Sequence, residues 1–177
     1  MHVYIRHGTK EHSNNANKAF SLDAGITDEG KLIAQERFKQ IFHDYFIPDI
    51  IISSPYLRTR ETSEIAQKVL EKHYNTKVNV IVDVLLGEYL GNQKHKDLCD
   101  HVVLDTLKYN PIGSESWKQY SCRIKYFVSK EIKDYKNILF ISHGLTIQSI
   151  SYFLDRKIDY PKELCGFSYY NDKVTEL

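Results

Sequence analysis

Residues 137–144 read NILFISHG and residues 2–8 read HVYIRHG, so each stretch is a short β-favouring run that ends in a histidine and a glycine. Runs of this length, rich in Ile, Val, Phe and Tyr, are typical of strands. DIIISS at residues 49–54 and VNVIVDV at residues 78–84 are further runs of the same kind. The sequence therefore predicts a strand at each of these places.

The segments between the predicted strands have helical periodicity. Apolar residues recur at three- and four-residue steps over residues 27–46, 57–73 and 144–154, which predicts a helix in each. Residues 95–108 show a weaker helical pattern, and the clearest pattern runs from Trp117 to Ile132, with Trp117 expected in the core. The tail, residues 166–177, is expected to form a terminal strand or a hairpin. Strands that alternate with helices indicate an α/β domain with a largely parallel sheet.

The composition is that of an ordinary soluble domain. The chain has 177 residues, which favours one domain over residues 1–177, and 24 Lys and Arg against 23 Asp and Glu give a formal net charge of +1. This balance disfavours nucleic acid as a partner, and no apolar run approaches the roughly 18 residues of a membrane span. The chain start does not resemble a signal peptide, and its three cysteines form no CxxC pair, so a cytoplasmic protein is expected.

Two further expectations concern Cys122 and the end of the chain. Cys122 lies within a helical pattern and is expected to be a buried filler rather than a nucleophile. The last predicted strand carries apolar residues that could pair with a second copy in a homodimer or fold back on the same chain. The remaining histidines of the chain have no mutual spacing that suggests a metal site.

Charged and nucleophilic side chains follow the predicted strands directly. They are, in strand order, Arg6-His7-Gly8, Ser53-Ser54 with Arg58 shortly after, Glu88, and Ser142-His143-Gly144. In parallel α/β sheets, ligands bind beyond the carboxyl ends of the strands, which all lie at one edge. We therefore expect these side chains to converge there.

Two arginines and two histidines that face one point make a pocket for a dianion. Arginine presents a planar fork that matches phosphate oxygens, and a neutral imidazole nitrogen can attack phosphorus. A second, protonated histidine could neutralise charge on the phosphoryl group, while Glu88 could protonate the leaving oxygen and later take a proton from water. Taken singly, each residue could instead be structural or solvated, and Arg60 competes with Arg58 for the arginine role.

The motifs in this order resemble the histidine phosphatase superfamily, the group that includes the cofactor-dependent phosphoglycerate mutases. They are RHG after the first strand, LDAGITDEGKLIAQ (22–35), SSPYLRTRETSEIA (53–66), GSESWKQYSCRIKYF (113–127) and ISHGLTIQSI (141–150). They cover residues 2 to about 153. The resemblance implies a three-layer α/β/α sandwich with a mostly parallel central sheet, and a reaction that needs no metal. No cofactor is expected.

The resemblance also implies roles for individual residues. His7 matches the nucleophile that becomes phosphohistidine, and Glu88 fits the proton donor. The matches to the phosphate ligands are Arg6, Arg58 and His143. Further substrate contacts are expected at Gly8, Asn14, Thr27 and Gly144.

Departures from the family pattern bear on the substrate. Thr9-Lys10 follows RHG where many members have Glu-Thr or Glu-Ser, and residues 95–115 contain no arginine pair for a second acidic group; the role of Lys94, His95 and Lys96 is open. A hydrolase of a small phosphorylated molecule or a phosphoprotein is therefore favoured over a mutase. A phosphohistidine phosphatase is an alternative within the same chemistry. A non-catalytic binding module of the same fold is the alternative from another class.

Overall fold

A six-stranded, mostly parallel sheet lies at the centre of the protein. The computed structural model describes residues 1–11, 23–89, 115–130 and 135–177. In order across the sheet, the strands are β3 (Asn79–Val82), β2 (Ile50–Ser53), β4 (Ile138–Ser142), β1 (His2–Arg6), β5 (Gly166–Tyr170) and β6 (Lys173–Glu176). The first four run parallel, and β5 and β6 are added antiparallel to their neighbours.

Four helices in the described part of the chain cover the two faces of the sheet. They are α1 (Asp28–Asp44), α2 (Leu57–Tyr74), α3 (Trp117–Ser129) and α4 (Gly144–Phe153). Val3 and Ile5 of β1 point into the core formed with α1 and α2, whereas Tyr4 points into the core formed with α3 and α4. Successive side chains of a strand point to opposite faces, so a strand buried on both faces is apolar throughout. The predicted α/β/α sandwich with a mostly parallel sheet is confirmed.

The helix boundaries follow local sequence signals. Thr27 precedes α1 and its Oγ1 accepts a hydrogen bond from the backbone N–H of Gly30, as an N-cap residue does. α2 ends where Asn75 adopts a left-handed conformation with φ of 49°, a common end for a helix. Ser116 and Gln119 form a capping box at the start of α3.

The structure refines several sequence predictions. The third strand is shorter than expected: after Val82 the chain turns into a 3-10 helix, Val84–Leu86, which Asp83 caps through its side chain. The tail forms a β5–β6 hairpin, whose turn residues Asn171 and Asp172 have positive φ. The predicted helix over 95–108 lies outside the described residues. None of the helices in the described ranges is long and apolar enough to cross a membrane.

Two predictions about α3 are wrong. Trp117 is 55% exposed rather than a core anchor, and Cys122 is exposed rather than buried. The buried side chains of α3 are Tyr120, Arg123, Ile124 and Phe127. The buried face therefore includes an arginine, which apolar periodicity does not anticipate.

Candidate active site

The carboxyl ends of β2, β4 and β1, which are neighbours in the sheet, carry the centre of the site. Ser54 follows β2, His143 follows β4 and His7 follows β1, and all three side chains are buried. The backbone N–H of His7 donates to the carbonyl of Ser142, and that of Ser54 donates to the carbonyl of Ile141, each at 3.0 Å or less. These bonds extend the sheet pairing to the residues that carry the functional side chains.

The ring orientation of His7 is set by its neighbour Gly8. Nδ1 of His7 lies 2.7 Å from the carbonyl oxygen of Gly8, which can only accept, so Nδ1 carries the proton. Nε2 therefore holds a lone pair. The backbone N–H of Gly8 donates in turn to Oγ1 of Thr62 at 3.1 Å, which ties this turn to α2.

Arg58, in the first turn of α2, joins the two histidines. Its Nε donates to Nε2 of His7 at 3.2 Å, and its Nη2 lies 3.1 Å from Nδ1 of His143. The guanidinium also lies over the ring of Tyr56, 4.5 Å from the ring centroid. Arg58 is 5% exposed, so its charge is directed into the pocket rather than into solvent.

His143 occupies the residue position just before α4 and is fully buried. Because arginine only donates, Nδ1 of His143 accepts from Arg58, and the proton lies on Nε2. Nε2 then donates to Oγ of Ser54 at 2.8 Å. The ring centroids of His143 and His7 are 5.4 Å apart. A phosphoryl group between them would thus meet two imidazoles of defined tautomer.

Both imidazoles are neutral near pH 7. Burial, reinforced by the charge of Arg58, lowers the pKa of His7 to about 3 and lowers the pKa of His143 well below its ordinary value. The predicted protonated second histidine therefore requires the negative charge of a phosphoryl dianion, which would raise the pKa of His143.

Arg6 ends β1 and supplies a second cation. Its Nη1 donates to the carbonyl of Pro161 at 3.0 Å, and its guanidinium lies 5.1 Å from the centroid of the Tyr160 ring. Its Nε is buried and has no hydrogen-bond partner among the described residues. A buried N–H without a partner is costly, so this donor is suited to an anionic ligand.

Glu88 follows the short helical turn after β3 and lies beside His143. Its Oε2 is 3.6 Å from Nδ1 of His143, and its Oε1 accepts from the backbone N–H of Tyr89 at 3.3 Å. Burial raises the pKa of Glu88, and this outweighs the opposing effect of the charge of Arg58. A raised pKa favours the protonated form of the carboxyl group, which is the form that an acid requires.

The other predicted substrate contacts have different surroundings. Gly144 is the first residue of α4, and the Tyr160 ring lies so close that no Cβ fits there without displacing it. The hydroxyl of Thr27 serves as the α1 cap, and its backbone N–H donates to Thr9, so its phosphate contact stays a prediction. Asn14, like Lys94, His95 and Lys96, lies outside the described residues.

Sequence reasoning missed several side chains around the site. Ser54 was placed at a strand end by the sequence, but no role was assigned to it. No sequence pattern indicated Tyr160, because it lies in a connection far along the chain from Arg6, which its ring contacts. Arg60, the competitor of Arg58, has no described contact with either imidazole, and its Nε is buried without a partner among the described residues. No group of three His, Cys, Asp or Glu side chains in the described ranges could hold a metal ion.

Comparisons with known proteins find the same fold. Solved structures with the same fold include the α-ribazole phosphatase of Shigella flexneri, with 19% identity, a TM-score of 0.64, and coverage of 99% of this chain and 94% of that one. A mycobacterial glucosyl-3-phosphoglycerate phosphatase is 17% identical, with a TM-score of 0.60 and coverage of 93% and 86%. A candidate phosphohistidine phosphatase from Agrobacterium tumefaciens is 12% identical, with a TM-score of 0.56 and coverage of 88% and 77%.

These identities establish a shared fold only. No protein of curated function matches the chain by sequence. The sequence profile of the histidine phosphatase superfamily (branch 1) does match, and it does so over residues 3–170. Since that match spans nearly the whole chain, including both strand-end histidines, the chain belongs to the histidine phosphatase superfamily.

Proposed function

We propose that this protein hydrolyses phosphomonoesters through a covalent phosphohistidine on His7, with Glu88 as general acid and then general base. The observation that carries the proposal is the orientation of His7. Its Nδ1 is bonded to the Gly8 carbonyl, so Nε2 presents a lone pair beside Arg58. Unprotonated Nε2 is the form of imidazole that can attack phosphorus.

In the first step, Nε2 of His7 attacks phosphorus as the bond to the leaving oxygen breaks and Glu88 gives that oxygen its proton. In the second step, water attacks the phosphoryl group while Glu88 takes a proton from it, and the N–P bond breaks. Orthophosphate leaves, and His7 and Glu88 return to their starting states. Atoms, charges and protons balance over the cycle.

The arginines stabilise the phosphoryl oxygens throughout. The Nε–H of Arg58 donates to the lone pair of His7, so it must move to a phosphate oxygen before attack. A dianion is the stronger acceptor for the Arg58 cation, since that hydrogen bond joins two opposite charges, whereas the bond to His7 joins a cation to a neutral imidazole. Substrate binding would thus release the nucleophile at the moment the phosphoryl group arrives.

The position of Glu88 favours an ester over a phosphoramidate substrate. An alkoxide is a poor leaving group and needs a proton, whereas the imidazole of a phosphohistidine departs more readily without one. The proposed substrate is therefore a small phosphate ester or a phosphorylated protein side chain. The proposed location of the protein is the cytoplasm. A mutase activity would need a further cationic site for a second acidic group.

A labelling experiment tests the phosphohistidine. We expect wild-type protein, mixed with ³²P-labelled phosphate ester and quenched in alkaline detergent, to carry alkali-stable, acid-labile label. His7→Asn should carry none. His73→Asn, which replaces an exposed histidine near the end of α2, is the matched control and should label like the wild type. Hydrolysis that persists in His7→Asn would contradict the proposal.

A further inference from the structure

The segment that carries Glu88 is held by side chains from three other elements. The consecutive carbonyls of Leu85, Leu86 and Gly87 each accept a side-chain hydrogen bond. Arg123 of α3 donates to the carbonyls of Leu85 and Gly87. Ser142 of β4 donates to the carbonyl of Leu86, and Thr146 of α4 also donates to the carbonyl of Gly87. The short 3-10 helix Val84–Leu86 and the glycine that ends it are thereby fixed immediately before the proposed acid.

Arg123 makes two of these bonds with a single nitrogen. Its Nη1 lies 2.6 Å from the Leu85 carbonyl and 3.0 Å from the Gly87 carbonyl, while Nε and Nη2 pair with the two carboxylate oxygens of Glu115. The Tyr120 ring lies 5.0 Å from the guanidinium carbon. The planar fork is thus engaged on both edges, an arrangement that the single ammonium of lysine cannot reproduce.

The Arg123–Glu115 pair is buried, with side-chain exposures of 7% and 8%. A buried ion pair contributes little net stability, since the cost of removing both charges from water offsets their attraction. Replacing a buried ion pair by apolar side chains of similar volume is often neutral or stabilising. What apolar side chains cannot do is donate hydrogen bonds to the carbonyls on either side of Leu86.

We propose that Arg123, oriented by Glu115, is a positioning residue that places the carboxyl group of Glu88 against the leaving oxygen. This inference rests on the proposed acid–base role of Glu88. Arg123 makes no described contact with His7 or Arg58. Its charge acts to lower the pKa of Glu88 and of His143, and a lysine at this position would keep that charge. The hydrogen bonds of Arg123 therefore act on the site through the 85–88 segment. The position of an acid matters because proton transfer needs hydrogen-bond distance.

Leaving-group dependence separates this role from a merely structural one. Departure of p-nitrophenol needs no proton, whereas departure of the glycerol oxygen does. We expect Arg123→Lys to lower kcat on glycerol 2-phosphate by about 10- to 100-fold with little change in KM, since general acid catalysis contributes about 10²- to 10⁴-fold. The single-turnover release of p-nitrophenol from p-nitrophenyl phosphate should change little.

Tyr74→Phe is the control for general destabilisation. It removes a side-chain bond to the Lys39 carbonyl on the opposite face of the sheet, and both substrates should be turned over as in the wild type. If Arg123→Lys does not fold, Glu115→Gln serves instead, because it keeps Arg123 but loosens its orientation. The same selective loss on glycerol 2-phosphate is expected from it.

A double-mutant cycle with Glu88→Gln completes the test. If Arg123 acts through Glu88, Arg123→Lys should lower kcat on glycerol 2-phosphate by less than about 2-fold in the Glu88→Gln background, since the effects of coupled residues are not additive. An undiminished loss in that background would overturn the positioning role and leave the proposed function intact. Unchanged glycerol 2-phosphate hydrolysis in Glu88→Gln alone would refute the acid role and the positioning role together.

Discussion

Acidification should destabilise this protein through His7 by an amount that its surroundings determine. Burial and the charge of Arg58 lower the pKa of His7 from 6.5 to about 3 in the folded protein. Below pH 6.5, the unfolded chain therefore takes up a proton that the folded protein does not. Stability rises with pH wherever the unfolded state binds more protons, so it must fall as the pH drops below 6.5.

The magnitude follows from these two pKa values. Relative to pH 7.5, His7 alone should lower the free energy of unfolding by about 2 kcal/mol at pH 5, with a slope that approaches about 1.4 kcal/mol per pH unit. His143 acts in the same direction, because its pKa is also lowered by burial. Glu88 opposes them, since its raised pKa lets the folded protein retain a proton that the unfolded chain has lost.

Urea unfolding of the wild type and His7→Asn at several pH values between 7.5 and 5 isolates the contribution of His7. Between pH 7.5 and pH 5, the free energy of unfolding of the wild type should fall by about 2 kcal/mol more than that of His7→Asn. This holds whatever the difference between the two proteins at pH 7.5. His73→Asn, at an exposed position, is the control for replacing a histidine outside the site. If His7→Asn runs parallel to the wild type, His7 does not stay neutral in the folded protein, and the reasoning fails.

Further substitutions test individual contacts of the site. Arg58→Lys should lower kcat/KM by about 10²- to 10³-fold, the usual cost of losing one charge-stabilising donor, and should weaken orthophosphate binding measured by calorimetry. Gly144→Ala displaces the Tyr160 ring and should lower activity, which Gly144→Ala with Tyr160→Ala should partly restore. Because the pKa of Glu88 is raised, wild-type hydrolysis of glycerol 2-phosphate should decline as the pH rises through that pKa. Glu88→Gln should remove that decline; a decline that persists would assign it to another group.

The elements of the fold were predictable because they depend on local patterns. β1 matched the run at residues 2–6, and α2 matched the helical period that begins at residue 57. The convergence of the strand-end side chains was predictable for a related reason. In a parallel sheet the carboxyl ends share one edge, so His7, Ser54 and His143 could be placed together before their contacts were known.

The exposed position of Trp117 was not predictable from the same patterns. The periodicity of α3 would bury Trp117, yet the buried face holds Arg123, whose partners are Glu115 and two carbonyls before Glu88. A charged residue enters a core only when such partners surround it. Partners that come from separate elements have no spacing that a sequence pattern can report.

The strands, the helices and the side chains at the strand ends can be predicted from local patterns, because hydrophobic periodicity and strand direction are properties of short segments. Three features come from the folded arrangement alone: which nitrogen of His7 is free, the neutral state of both imidazoles, and the way the carboxyl group of Glu88 is held. These depend on burial and on neighbours brought together from distant parts of the chain: Gly8 for one ring nitrogen of His7, Arg58 between the two rings, and Arg123 behind Glu88. Protonation and orientation are consequences of that assembly, and they exist only in the folded protein.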